Sequence, residues 1–353
     1  MTVKLRAGTP RPRTLRAPGG LSLRVEPRAL GVGLLLTAAV LVVAVLLIGT
    51  GDYRIAPLDV VRTLMGDGLP SDEFIVNDLR LPRVLVGVLV GAALGMAGSV
   101  FQSVSRNALA SPDVLGFSYG SSVGALVAII LFHADAGTVA AGALAGGLLA
   151  GAAVYLLAWK QGVHGYRLVL VGIGFSAMLL AGVQYLLTKA QYVDAARATV
   201  WLTGSLAGRD WAQVRPLLGT CAVLFPLVLS QGRALRVMEM GDDAAYALGV
   251  RVERSRLLLM LAAIVLTAAG TAAAGPLAFV ALAAPQLARR LTRSPGANPL
   301  SAALMGAFLL LISDWGAQRA FGADQLPVGV VTGLVGGIYL LWLLVTERKA
   351  GRI

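Results

Sequence analysis

Apolar residues run along this chain in uninterrupted blocks of spanning length, separated by short polar breaks. Uncharged runs cover Ala29–Thr50, Val84–Ser105, Val114–Phe132, Ala136–Trp159 and Leu168–Thr188. They resume at Pro216–Gly232, Leu257–Ala288, Ala297–Ser313 and Gln325–Thr346. A helix needs about 20 such residues to cross the hydrocarbon of a bilayer. Leu257–Ala288 is too long for one crossing: as a helix it would measure roughly 48 Å against a core of about 30 Å. Gly275-Pro276 lies inside it, so the pattern predicts a break there and a second, short span near Leu277–Leu291. The fold class that follows is an all-α polytopic membrane bundle of about ten helices.

Composition agrees: 57% of the residues are hydrophobic and only 14% are charged, more apolar surface than a soluble domain of this size needs. Lysines and arginines decide the orientation. With ten spans and both termini in the cytoplasm, 21 of the 30 basic residues fall inside and 9 outside; with nine spans the bias nearly vanishes. The net charge of +12 is thereby explained by topology and anionic lipid, with no nucleic acid needed. Residues 1–28 read as a disordered basic cytoplasmic tail, 29–346 as the transmembrane domain and 347–353 as a C-terminal cytoplasmic tail. No small-x-small cleavage site follows the first apolar run, which argues against a signal peptide. Cys221 stands alone and reads as a packing residue.

One polar stretch between spans has the marks of a folded element. In Met238–Val250 (MEMGDDAAYALGV), Gly241 breaks the chain and Asp242 and Asp243 suit the N-terminal end of a short helix, where they can cap free N–H groups. Good helix formers continue to Leu248, and Gly249 is a C-terminal stop. Glycines recur every four residues at Gly87, Gly91 and Gly95 and again at Gly329, Gly333 and Gly337. That spacing lets helix backbones approach closely, within the bundle or at a subunit interface. The proline-marked segments Arg106–Pro112 and Pro285–Pro299 sit at comparable places in the two halves, a hint of inverted repeats.

Missing chemistry narrows the function. No phosphate-binding G-x-x-x-x-G-K-[ST] loop, zinc motif, cysteine cluster or nucleophile elbow is present, so the chain is not expected to be an enzyme or to hold a metal. His133 and His164 both fall in loops. Asp314 is the one ionisable residue buried in a span, near its outer end, where Arg319 is a candidate partner. A proton- or sodium-coupled carrier would carry several buried carboxylates, so the work is expected to come from another protein, or the solute to flow downhill. On the outer face, the long loops Asp52–Arg83 and Lys189–Arg215 present Arg54, Arg62, Arg80, Arg197 and Arg209, whose planar guanidiniums suit docking of an acidic protein.

Three stretches carry a family resemblance: RLPRVLVGVLVGAALGMAGSVFQSVSRNALASPDVLGFSYG (Arg80–Gly120), LRVMEMGDDAAYALGVRVERSRLLL and LPVGVVTGLVGGIYL. Together they resemble the iron-siderophore permease family of ABC importers (FecCD type), which includes haem and cobalamin permeases, and look closest to ferric-enterobactin permease subunits. The resemblance implies ten spans, a two-subunit permease whose second subunit is a paralogue, two cytoplasmic ATPases holding ATP and magnesium, and an external solute-binding protein. It implies that Met238, Glu239, Gly241, Asp242, Asp243, Ala247, Leu248 and Gly249 form the loop received by the ATPase. It places Asn107, Ala108 and Leu109 in a cytoplasmic gate, with His164 and Tyr166 beside it. Two departures from the family pattern stand out: Ala108 where proline is common, and Gln286 where histidine is common.

Overall fold

The structure, a computed structural model, describes residues 13–16, 22–25, 27–51, 53–159, 165–294, 296–319 and 325–349. Within the N-terminal tail, β1 (Arg13–Arg16) and β2 (Ser22–Val25) pair as a small antiparallel ribbon. The remaining elements among the described residues are helices. Among the described residues, seven helices are long and apolar enough to cross a membrane.

The first is α1 (Pro27–Gly49). The outer loop after it is folded: α2 (Pro57–Leu64) and α3 (Pro70–Glu73) lead through a π-helical stretch, Phe74–Arg80, into α4 (Leu81–Ser105). Pro82 has no N–H to give and crowds the preceding turn. The ladder widens there, and the N–H of Leu81 donates to the carbonyl of Val76. The result is one 36-residue helix, Pro70–Ser105. Two shorter apolar helices complete the first half and the end of the chain: α5 (Phe117–Phe132) and part of α15 (Val328–Lys349).

Between them run α6 (Ala136–Ala158), α7 (Gly165–Lys189), the outer helix α8 (Tyr192–Leu202) and α9 (Trp211–Ser230). The short helices α10 (Gly232–Met238) and α11 (Asp242–Ala247) precede α12 (Val252–Ala274). The break predicted at Gly275-Pro276 is present. Gly275 ends α12 with φ +79°, and α13 (Val280–Thr292) begins after it. A side chain on Gly275 would meet the carbonyl of Trp201 at 2.7 Å, so the turn needs glycine for both conformation and space. With 13 residues, α13 is about 20 Å long and too short to span alone.

At the centre, α4 crosses α14 (Pro299–Arg319). A Cβ on Gly91 would strike Gly306 and one on Gly95 would strike Ala302, while Gly87 faces Leu311 at 3.0 Å. The first glycine stripe is therefore packing within one bundle, and the small residues bring two backbones into contact. α5 and α6 repeat the device at Gly120/Gly146 and Gly124/Gly142. Asp314 fastens the same crossing near its outer end. It is engaged not by Arg319 but by Arg83, two-pronged, with Nη2 at 2.8 Å and Nε at 3.1 Å, and by Gln318 at 2.9 Å. Arg319 instead lies over the Trp315 ring and donates to Thr50. A buried carboxylate takes the guanidinium that satisfies both oxygens.

Burial grades outward from this core. The spanning window of α4 is 83% buried and that of α12 67%, against 17% for α7 and 22% for α9. The second glycine stripe splits accordingly. Gly329 abuts Thr203 and Gly204, whereas nothing lies within 4 Å of a Cβ built on Gly333 or Gly337. Those two open on an exposed apolar face with Leu334, Ile338 and Leu341, a face left for lipid or another subunit.

Candidate coupling and gate region

The short helix expected within 238–250 is present as α11, Asp242–Ala247. α11 has six residues, about 9 Å of helix. Gly241 (φ +117°) turns the chain into it and Gly249 (φ +78°) turns it out; both conformations favour glycine.

The aspartates do not cap it, because no side chain accepts from the first turn. Asp242 is drawn away by Arg256 on α12, whose Nη2 lies 2.8 Å from each carboxylate oxygen. Arg256 is nearly fully buried and also donates to Glu253 at 3.0 Å. Arg106 stands 3.8 Å from the same aspartate. A buried guanidinium is costly unless its N–H groups are used, so it outcompetes the weaker backbone donors of the helix end. Asp243 stays exposed, as do Ala247, Leu248 and Gly249. Met240, Tyr246 and Leu248 are each more than half exposed, giving α11 and its flanks an apolar cap over an anchored base.

Glu239 is the second anchor. Its Oε1 accepts from Ser103 of α4 at 2.6 Å and from Arg289 of α13; its Oε2 accepts from the backbone N–H of Ala297 at 3.1 Å. Arg289 also reaches Ser103 at 3.1 Å. Met238, beside it, is buried. Three elements distant in sequence are thereby gathered on one carboxylate. Sequence reasoning placed Glu239 in the loop but named neither Arg256 nor Arg289 as partners. The available signal was an arginine at the edge of an apolar run, which must find an acceptor.

The loop expected to form the gate adjoins this cluster. Arg106 ends α4 in the left-handed conformation (φ +53°), and Asn107 Oδ1 accepts from the N–H of Leu109 at 2.9 Å, an Asx turn. Ala108 and Leu109 are exposed, and so is Tyr166. Gly165, at the start of α7, sits so close to Ser105 that a Cβ would lie 2.5 Å from its carbonyl; this brings the α7 entry beside the gate loop. His164 lies outside the described residues. Where the family histidine is replaced, Gln286 donates to Gln102 Oε1 at 2.6 Å, and the buried Gln102 donates to the carbonyl of Leu282. A neutral amide pair thus joins α4 to α13.

The outer arginines divide into two kinds. Arg54 is exposed and lines a cleft of about 660 Å³ between the ends of α1 and α14. Arg62, also exposed, makes only a 3.4 Å contact with Asp59. Arg80 is committed inward, donating to the carbonyls of Ile48 and Tyr53 at 2.6 Å each. Arg197 bonds the carbonyl of Ala134 and Arg209 that of Ser205. No group of three or more metal-ligating side chains occurs among the described residues.

A bundle of apolar helices long enough to cross a membrane, with an anchored polar loop at 238–250 and an arginine-bearing cleft beside Arg54, is the architecture of an integral membrane protein. Residues 37–346 match the FecCD transport family. The chain is 46% identical over 325 residues to the ferric enterobactin transport system permease protein FepG of Escherichia coli (strain K12), covering 92% of this chain and 98% of that protein. It is 38% identical over 315 residues to the iron(3+)-hydroxamate import system permease protein FhuG of Bacillus subtilis (strain 168), covering 86% and 94%. A solved structure described as an inward-facing conformation of a "metal-chelate type ABC transporter" superposes with TM-score 0.79 at 26% identity, covering 90% of this chain and 99% of that one. The chain belongs to the FecCD transport family, and it is an ABC-importer permease subunit.

Proposed function

We propose that this chain is one membrane-spanning half of an ATP-driven importer of ferric siderophores of the catecholate, enterobactin-like kind. In this reading each subunit crosses the membrane ten times, α12 making one crossing and α13, together with the non-helical stretch 275–279 that leads into it, making the next, with both termini in the cytoplasm of the cell that takes up the iron. A paralogous permease pairs with it, two ATPases dock below, and a solute-binding protein docks above. The observation that carries the reading is the 238–250 loop. Glu239 and Asp242 are spent on internal anchors while Met240, Tyr246 and Leu248 are presented to solvent. A pore needs no such element; a permease moved by another protein does.

Transport then follows alternating access. The loaded binding protein offers carboxylates to Arg54 and Arg62, closure of the ATPases pushes α11, and the subunits rock until the gate at 107–109 and Tyr166 opens inward. Iron stays with its chelator, and ATP and magnesium stay in the partner subunits. The similarity to the enterobactin permease favours that substrate class. Relatives for hydroxamate, citrate and cobalamin import make another chelate the alternative. Reconstitution decides: with its partners in proteoliposomes, the permease should accumulate ferric enterobactin only when ATP is supplied. Uptake that ignores ATP means a carrier. ATP-dependent uptake of ferric hydroxamate alone would reassign the substrate.

A further inference from the structure

α13 differs from every other apolar helix in the molecule. It is short, and a non-glycine residue in the left-handed conformation bounds it at each end: Phe279 with φ +68° and Arg293 with φ +49°. Such conformations are strained for residues that carry a side chain and persist where the surroundings hold them. Two adjacent arginines near its cytoplasmic end point different ways. Arg289 binds Glu239 of the coupling loop, while Arg290 stacks on the Trp342 ring of α15 with 4.8 Å to the centroid.

The far end of α13 touches α15 as well. The Phe279 side chain occupies the space that a Cβ on Gly336 would need. Between these two contacts, α15 is loosely seated. An apolar hollow of about 90 Å³ separates it from α13 and α14, lined by Ala283, Leu309, Val335 and Tyr339 among others. The Tyr339 hydroxyl is buried and has no hydrogen-bond partner among the described residues. The hollow is a groove partly open to the surroundings, with Val335 on its exposed side, so α15 is not packed tight against α13 there and has room for a second seating.

We propose that α13 is a strut that carries the motion of the coupling loop to α15, with Glu239 as the positioning residue that ties the strut to the loop and Phe279 as its bearing on Gly336. This rests on the reading that the ATPases act on α11. Phe279 and Arg293 are the pivots, the hollow is the space α15 moves through, and the exposed face of α15 changes its presentation to the pathway or the second subunit.

The test uses the whole importer in lipid nanodiscs, with C221S removing the single cysteine and new cysteines at Ala283 and Val335 across the hollow. In this parent, ATP with vanadate should change the cross-linking rate of the pair about tenfold. F279A should keep the ATPases bound and hydrolysis within about twofold, yet lose most of that change, and E239A, which cuts the tie to the loop, should lose it as well. E239D, which retains the carboxylate, should restore part of it. Because E239A could unfold the loop locally, F279A, remote from the loop, is the deciding variant. If F279A leaves the ATP-driven change intact, the strut is overturned. A parent complex that retains no ATPase overturns the coupling reading, and the strut with it.

Discussion

Replacing Asp242 with alanine removes the two-pronged partner of a guanidinium that is only 4% exposed. Glu253 remains, at 3.0 Å on the other nitrogen, so the charge is not wholly abandoned. Hydrogen bonds to charged groups contribute about 1.5–3 kcal/mol each when lost from buried sites. Asp242 is itself 26% exposed, which screens part of the interaction, so about 2 kcal/mol is the expected destabilisation of the loop, a factor of roughly 30 in its local opening. Limited proteolysis at the arginines of 233–251 in the detergent-solubilised subunit reads that opening directly. D242A should be cut roughly 30-fold faster and D243A at the parent rate, because Asp243 is exposed. Arg256→Met in the D242A background should recover most of the protection, since the buried guanidinium is gone and the groups that lose a partner, Glu253 and Arg106, are both part-exposed to solvent. Equal cutting of D242A and parent, or a double variant no better than D242A, would show that the Asp242–Arg256 pair does not hold the loop.

Three further outcomes follow from other parts of the molecule. Gly91→Val should push α4 off Gly306, and the subunit should lose several kcal/mol by overpacking and melt well below the parent in detergent; Gly333→Val, on an open face, should not. Charge reversal at Arg54 and Arg62 should weaken docking of the binding protein by about tenfold without changing the melting temperature, whereas Arg80→Ala should lower the melting temperature because two carbonyls lose their donor. Asp113, in the loop before α5, has its carboxyl pushed up to about 6 by burial, against a hydrogen bond from Ser118. A raised carboxyl favours the folded state when protonated, so its contribution is present below its unfolded value near 4, and is lost as pH rises through about 6. Melting temperature in detergent should therefore gain on lowering pH from 7 to 5 relative to D113N, and parallel curves for the two proteins would refute the assignment.

What the sequence discloses here is local. The break at Gly275-Pro276 follows from helix length and from two residues that cannot continue a ladder. The turns at Gly241 and Gly249 follow from backbone freedom. Close packing through Gly91 and Gly95 follows from a four-residue period, although whether the partner lay in the same chain did not. The illegible part is non-local. Arg83 lies 231 positions from Asp314 and Arg289 lies 50 from Glu239, and nothing in either segment's own pattern names the other. Arg319 was the near choice for Asp314 in sequence, but it lies over the Trp315 ring and donates to Thr50 instead. The same competition moved Asp242 from capping α11 to neutralising Arg256. Family resemblance located the loop; only the fold explains why it is rigid.

The central claim is that the exposed cap of the 238–250 loop is where an ATPase bears on this permease. A photo-activatable residue in place of Tyr246, which is 54% exposed, tests it in living cells. Illumination should yield an adduct between this chain and a protein carrying a phosphate-loop ATPase sequence, while the same residue at Tyr192, exposed on the outer helix α8, should not. An adduct missing from position 246 in cells that import the chelate normally would contradict the account.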